Sequence, residues 1–124
     1  MKVMVFVKAT PETEAGYKNT EADRAAMAEM DKFNDELVKA GIRLDVGGLK
    51  PSSKGARVHF SGKKVSVTDG PFAEAKELVA GFWIWQVRSM EEAIEWAKRC
   101  PNPTAPAGVI ELRPFYEAED FDNE

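Results

Sequence analysis

Three residues have side chains that could move a proton or stabilise an oxyanion. Asp69 follows an apolar segment and precedes Gly70-Pro71, and a carboxylate there could act as a general base. His59 is the only histidine, and an imidazole titrates near neutral pH. Arg113 lies in the last apolar segment, where a guanidinium could hold a carboxylate or a developing enolate oxygen. Asp69, His59 and Arg113 are the candidate catalytic residues.

Two of these residues have a structural alternative. Asp is common at the start of turns, and Pro71 suits a first helical position, so Asp69 could instead cap a short helix over Phe72–Glu77. A lone histidine in a hairpin is often a partly exposed strand residue, which is the alternative for His59. The sequence leaves both alternatives open.

Strand alternation predicts a second set of side chains, which face a cavity. In the last strand, Glu111 and Arg113 share a face opposite Ile110 and Leu112. If Val58 and Phe60 of the hairpin pack beneath the helices, Arg57 and His59 face the cavity. The candidate ligand-binding residues are Arg57, Gln86, Glu111, Phe6, Phe72 and Phe82. Apolar walls with a few polar groups are typical of small-ligand pockets, although Glu111 could instead form an ion pair that fixes a dimer.

Composition narrows the class of protein. The 124 residues fit one domain over residues 1–116 and an acidic, frayed tail over 117–124. The net charge of −4 does not favour nucleic-acid binding. The first apolar segment, Val3–Val7, is too short for a signal peptide or a membrane span. A single cysteine suggests the cytoplasm. With one His, one Cys and no nucleotide-binding glycine motif, we expect neither a metal nor a cofactor.

The elements that position these residues are strands and helices whose order can be predicted from the apolar pattern and the turn residues. The sequence predicts a first strand, a helix capped by Thr20, and a glycine-rich loop with a short strand. A hairpin that turns at Gly62-Lys63 follows, and after it come a strand, a helix capped by Ser89 with Glu92, and a last strand. The segments are Lys2–Lys8, Thr20–Ala40, Gly41–Gly55, Ala56–Ser61 with Lys64–Thr68, Gly81–Arg88, Ser89–Arg99 and Gly108–Phe115. This order predicts a ferredoxin-like split βαβ, an α+β fold with an antiparallel sheet and helices on one face.

The strands are apolar on both faces. Met4 and Phe6 point away from Val3 and Val5, and Phe82 and Ile84 point away from the two tryptophans of their strand. Two helices cover only one face, so a second apolar face requires another cover. The sequence therefore predicts a homodimer with its sheets packed face to face, enclosing the cavity. The alternative cover is the long loop.

The segment Val67–Glu77, VTDGPFAEAKE, resembles the signature of the DGPF proteins within the YCII-related domain family. The resemblance continues at Gly48–Ser52, Met90–Ala97, Cys100-Pro101 and Glu111–Pro114. It implies a dimeric α+β barrel. Some relatives in the family are cofactor-free lyases or dehalogenating enzymes with a His-Asp pair. The only histidine here, His59, lies in a different region of the chain.

Two hypotheses of function follow. The first is a cofactor-independent lyase or isomerase acting on a small organic molecule in the dimer cavity, with Asp69 or His59 moving a proton and Arg113 holding the oxyanion. The alternative is a non-catalytic module that binds a small molecule or a protein partner in a regulatory role.

Overall fold

The strands and the two long helices follow one another in the order that the sequence predicts. The computed structural model describes residues 1–103 and 108–122. Its strands are β1 (Lys2–Lys8), β2 (Arg43–Gly48), β3 (Ala56–Ser61), β4 (Lys64–Asp69), β5 (Val79–Gln86) and β6 (Ile110–Pro114). Its α-helices are α1 (Pro11–Glu14), α2 (Glu21–Lys39) and α3 (Met90–Lys98), with 3₁₀ turns at Ser52–Lys54, Ala75–Glu77 and Ala118–Phe121.

The main sheet has four antiparallel strands in the order β2-β5-β1-β6. With α2 between β1 and β2, and α3 between β5 and β6, this is the predicted ferredoxin-like split βαβ topology. The second strand comes from Arg43–Gly48, inside the segment predicted to be mostly loop. The hairpin β3-β4 forms a separate two-stranded sheet, inserted between two neighbouring strands of the main sheet.

The core lies between the main sheet and the two long helices. Val3 and Val5 pair with Trp85 and Trp83, and all four side chains are buried on the helical face. From α2, Phe33 packs its ring edge-on against Trp83, with 5.8 Å between ring centroids. Burying aromatic side chains of this size provides much of the energy that holds helices to the sheet. Trp83 and Trp85 are therefore core residues.

Local signals set the ends of α2. The Thr20 hydroxyl accepts a hydrogen bond from the Asp23 amide at 3.1 Å, and an Asp23 oxygen accepts one from the Thr20 amide at 3.3 Å. The backbone amides of Thr20 and Lys18 both donate to the Asp23 carboxylate, and they lower its pKa because they stabilise the charged form. Gly41, with φ +73, follows the helix in a conformation that favours glycine. The predicted cap at Thr20 is confirmed, and it is a capping box with aspartate at N3.

The cap of α3 differs from the prediction. Ser89 accepts from the Glu92 amide at 3.1 Å, as expected. The Glu92 carboxylate instead accepts from the Arg88 amide at 2.8 Å and from the Arg88 guanidinium at 2.8 Å. The Arg88 hydrogen bonds lower the pKa of Glu92. An arginine one residue before the cap thus changes the partner of the glutamate.

Helical spacing in the sequence predicts one apolar stripe along α2, and the structure buries only part of it; the stripe is Met27, Met30, Phe33, Leu37 and Val38. Phe33 and Leu37 are buried, and Met30 packs at the edge of the core. Met27 and Val38 are instead 52% and 50% exposed. The buried face is narrower than the apolar stripe of the sequence.

Cys100 follows α3 and is half-buried beside Met30, with 4.0 Å between the two sulfur atoms. Burial raises the pKa of this thiol from 9.0 to about 12, since the thiolate loses solvation. Thiol reagents attack the thiolate, whose fraction near pH 8 is about 10³-fold smaller for a three-unit rise in pKa. We expect a thiol-reactive dye at pH 8 to label the native protein at least about a hundredfold more slowly than the urea-unfolded chain. Equal labelling rates would contradict this prediction.

Candidate functional site

Two glycines on the helical face leave a cavity beneath α2. Gly48 of β2 pairs with Gly81 of β5, and Gly81 also pairs with Val7 of β1. A Cβ atom added at Gly48 would meet no other atom within 4 Å, so this position borders open space. Neighbouring rows of the sheet carry Trp83 and Trp85 instead, which fill the gap under the helices. The missing side chains of Gly48 and Gly81 therefore account for the hollow.

The cavity has a volume of about 260 Å³. Its larger apolar side chains come from the sheet, from α2 and from the segment after α3: Val7, Met30, Val46, Trp83 and Pro103. This volume is near the lower end of the range of about 300–1,000 Å³ that is typical of ligand pockets. Such a space suits a molecule built on a single ring.

Two polar side chains border the cavity. Asn34 of α2 accepts a hydrogen bond through Oδ1 from the Trp83 indole Nε1 at 2.7 Å. Thr13 of α1 donates its hydroxyl to the Thr10 carbonyl at 2.9 Å and accepts from the Thr10 amide at 2.8 Å. Among the described residues that line the cavity, none has an ionisable side chain. The cavity can provide shape, apolar surface and neutral hydrogen bonds.

Several candidate residues lie on the opposite face of the main sheet, which no helix of the described chain covers. We call this the open face. Phe6 pairs with both Phe82 and Glu111, and Met4 pairs with Arg113. Glu111 and Arg113 therefore share a face with Phe6 and Phe82, as alternation predicts.

The charged groups of the open face pair with one another at its β6 side. Glu111 lies 3.8 Å from Lys8 Nζ and 3.4 Å from Arg113 Nη1. These partly exposed pairs contribute little to stability. Gln86 is exposed at the end of β5, where it pairs with Lys2. Within one chain Glu111 thus pairs with Lys8 and Arg113, whereas an ion pair that fixes a dimer stays a prediction.

The remaining candidates lie in or beside the hairpin. Arg57 stacks on the ring of Phe72, with 3.8 Å from Cζ to the ring centroid. His59 is exposed and pairs with Ser66. Asp69 is exposed at the end of β4 and pairs with Ala56. Alternation places His59 and Asp69 on opposite faces of the hairpin, so they do not form a pair within one chain.

Two predictions about this region are wrong. Asp69 caps no helix, because it ends β4 and the next 3₁₀ turn begins only at Ala75. Val58 and Phe60 do not lie beneath the helices; they are 52% and 77% exposed. The physical reason is that the hairpin pairs with itself and not with the main sheet.

The segment after Asp69 anchors the base of the hairpin. The Gly70 amide donates to the Gly55 carbonyl at 3.0 Å, and the Phe72 amide donates to the Ser52 hydroxyl at 3.0 Å. Ser52 in turn bonds the Glu14 carboxylate through its hydroxyl and its amide. The DGPF segment therefore connects the hairpin to α1 and to the turn before β3.

The cavity residues Thr13, Asn34, Gly48 and Gly81 were not predicted as site residues. The available signal was glycine at Gly47-Gly48 and at Gly81, since glycine inside a strand often marks a close approach or a gap. These glycines indicate a shared gap only once β2 is known to pair with β5.

Two further features of the described residues concern metals and membranes. Among residues 1–103 and 108–122, no group of three His, Cys, Asp or Glu side chains is arranged to hold a metal ion. No helix in this part of the chain is long and apolar enough to cross a membrane.

Comparison with known proteins found a matching family, a sequence relative and a similar solved structure. A model of the YCII-related domain family matches residues 1–119. An uncharacterised protein of Rhizobium meliloti (strain 1021) is 33% identical over 95 residues, which are 77% of each chain. A similar solved structure is 5-chloro-2-hydroxyhydroquinone dehydrochlorinase from Burkholderia phenoliruptrix AC1100, in complex with 2,5-dihydroxybenzoquinone. It has a TM-score of 0.53 and 14% identity, and the match covers 97% of this chain and 98% of that one.

Proposed function

This chain belongs to the YCII-related domain family, and we propose that it binds a small, flat organic molecule in the cavity between α2 and the main sheet. The observation that carries the proposal is the composition of the cavity, with apolar walls and a single amide, Asn34, beside the indole of Trp83. Because Trp83 engages Oδ1 of Asn34, the amide nitrogen is the group of this side chain that can donate to a ligand oxygen. A ring with one or two oxygen substituents fits this arrangement.

The test is calorimetric titration with phenol and 2,5-dihydroxybenzoquinone as probes. Gly48→Val places two methyl groups in the cavity, so we expect it to weaken binding at least about tenfold, since filling a pocket excludes the ligand. Leu49→Val is the control, because Leu49 is 53% exposed and does not line the cavity. Binding that is equal in the two variants, or no binding of either probe to the unmodified protein, would refute the cavity as the site.

An enzyme is the second candidate, specifically a cofactor-independent lyase or isomerase. The fold likeness to a dehydrochlorinase that is complexed with a hydroxyquinone supports it. The described lining of the cavity offers no general acid or base, so catalysis would need groups from elsewhere. Asp69, His59 and Arg113 are the candidates, and one chain does not gather them: Arg113 lies on the main sheet, and the other two lie on opposite faces of the hairpin.

Turnover separates these two candidates. Loss of turnover in both Asp69→Asn and Arg113→Ala, with the fold retained, would favour the enzyme. Binding without turnover favours a non-catalytic module that senses or carries the molecule. The geometry of one chain favours binding.

The proposal includes a homodimer formed through the open face. Met4, Phe6, Phe82 and Ile84 form an apolar patch there and remain partly exposed in the single chain. Packing this patch against its copy would remove the apolar surface from water. Glu111, Arg113, Lys8 and Gln86 would then border the interface.

Two finer assignments accompany this proposal. The segment VTDGPFAEAKE supports membership of the DGPF subgroup, in which this segment holds the hairpin base. The single, half-buried cysteine supports a role in the reducing cytoplasm.

A further inference from the structure

The hairpin β3-β4, here called the hairpin arm (residues 56–69), has an exposed apolar face. Val58 pairs with Val67, and Phe60 pairs with Val65, so the four side chains share one face. Their exposed fractions are 52%, 64%, 77% and 62%, respectively. An isolated two-stranded hairpin is marginally stable in water, and an exposed apolar patch usually marks a contact surface. The arm therefore lacks the cover that such a face requires.

The arm and the loop before it are strongly basic. Residues 46–69 contain five Lys and Arg side chains and one acid, Asp69 at the base of the arm; the basic residues are Lys50, Lys54, Arg57, Lys63 and Lys64. Two of them, Lys63 and Lys64, lie at the tip of the arm. A surface that fits the arm should thus combine apolar side chains with negative charge.

The C-terminal turn, defined here as residues 116–122, has this composition. Tyr116 and Phe121 are 79% and 70% exposed, and their rings stack with 5.1 Å between centroids. The remaining side chains include four carboxylates and no basic group: Glu117, Glu119, Asp120 and Asp122. Exposed aromatic rings surrounded by acids are complementary to an apolar, basic hairpin in both charge and polarity.

We propose that the hairpin arm of one copy docks on the C-terminal turn of a second copy. This inference rests on the homodimer included in the proposed function, and it adds a second contact to the packing of the open faces. Each copy offers both surfaces, so the two contacts are reciprocal and close the dimer.

Within one chain the structure leaves both surfaces exposed and does not join them. The arm leaves the main sheet at the end of β2, beside Lys8 at the end of β1. The C-terminal turn follows β6 at the other end, where Phe115 donates to the Lys2 carbonyl at 2.9 Å. The two surfaces thus lie at opposite ends of the sheet.

A second copy can bring these ends together. Two stacked sheets can be related by a twofold axis that lies in the plane between them and runs perpendicular to the strands. This axis places the arm end of one sheet over the C-terminal end of the other. The lateral offset from β2 to β6 is three strand spacings, about 14 Å. The arm has six-residue strands, about 20 Å at the usual rise per residue. The arm is long enough to span the offset.

Disulfide trapping between singly substituted chains tests the contact. Phe60→Cys protein is mixed with Tyr116→Cys protein under mild oxidation. The control pair is Phe60→Cys with Tyr17→Cys, since Tyr17 is a 58% exposed aromatic residue near the base of its own arm, where Gly16 approaches Pro51, and not in the C-terminal turn. We expect the first pair to cross-link at least about ten times faster, because docking raises the local thiol concentration to about millimolar.

Light scattering on the unmodified protein separates the possible failures. A monomer would overturn both the homodimer and the docking. A dimer in which Phe60→Cys pairs preferentially with itself, or links no faster to Tyr116→Cys than to Tyr17→Cys, would overturn the docking alone.

Charge reversal provides an independent check. Lys63→Glu with Lys64→Glu should slow the cross-link between the two surfaces, and Glu119→Lys with Asp120→Lys on the partner should restore it. A cross-link that is unaffected by these exchanges would overturn the role assigned to charge.

Discussion

Gly70→Ala is expected to destabilise the protein by about 3 kcal/mol, near the upper end for an overpacked site. A Cβ at Gly70 would lie 1.8 Å from the Ser52 carbonyl oxygen and 2.7 Å from its carbon. Both obstacles are backbone atoms, so no side-chain rotation can relieve the clash. Moving Ser52 would also disturb its hydrogen bonds with Glu14 and Phe72, which hold the hairpin base.

Urea unfolding followed by far-UV circular dichroism measures this effect, with Gly48→Ala as the matched control. A Cβ at Gly48 meets nothing within 4 Å, and its φ is not positive. We expect the control to change the free energy of unfolding by less than about 0.5 kcal/mol, as for most substitutions without a steric conflict. Equal losses in the two variants would contradict the clash at Ser52.

Phe33→Ala is expected to cost about 3–5 kcal/mol, the range for removing a buried aromatic side chain. Phe33 is 3% exposed, and its ring lies 5.8 Å from Trp83, 6.3 Å from Trp85 and 6.5 Å from Trp96, measured between centroids. Its loss would leave a void among three indoles, one of which, Trp83, lines the cavity beneath α2. The near-UV circular dichroism of the tryptophans should weaken as well, because their packing becomes less defined.

Met27→Ala provides the comparison on the same helix, six residues earlier in the chain. Met27 was predicted to share the buried stripe but is 52% exposed. We expect its replacement to cost less than about 0.5 kcal/mol in the same unfolding measurement. A large loss would indicate that this part of α2 is covered in solution, which the single chain does not show.

The main fold could be predicted because its signals are local. Alternation in β1 and β5 separates two apolar faces, and Thr20 with Asp23 marks the start of α2. The arrangement of the middle of the chain could not be predicted in this way. Arg43–Gly48 has only one strongly apolar pair, Leu44 and Val46, and both are exposed at the sheet edge. The alternation of β3 and β4 describes a hairpin equally well inside or outside the main sheet.

The candidate cavity was harder to predict than the open face. Glu111 and Arg113 could be assigned to one face because side-chain period is a property of the strand itself. The cavity depends on side chains that are missing, Gly48 beside Gly81, and these meet only through the pairing of strands more than thirty residues apart. An expectation based on chemically reactive residues therefore pointed to Asp69 and His59, whereas the hollow is lined by neutral groups.

The segment that carries the hairpin arm, residues 49–78, leaves the main sheet at β2 and returns at the neighbouring strand β5, and this has an entropic consequence. Leu49 donates to the Ala80 carbonyl at 2.8 Å, so the chain between them leaves and returns at almost the same point. Closing a loop of about thirty residues instead of a two-residue turn costs about 2 kcal/mol, because the entropy loss grows only logarithmically with length. The ladder between β2 and β5 would still form around a short turn at this point. The segment therefore costs little free energy of loop closure, and the main sheet does not need it to connect β2 with β5. Its residues can be selected for contacts outside their own chain.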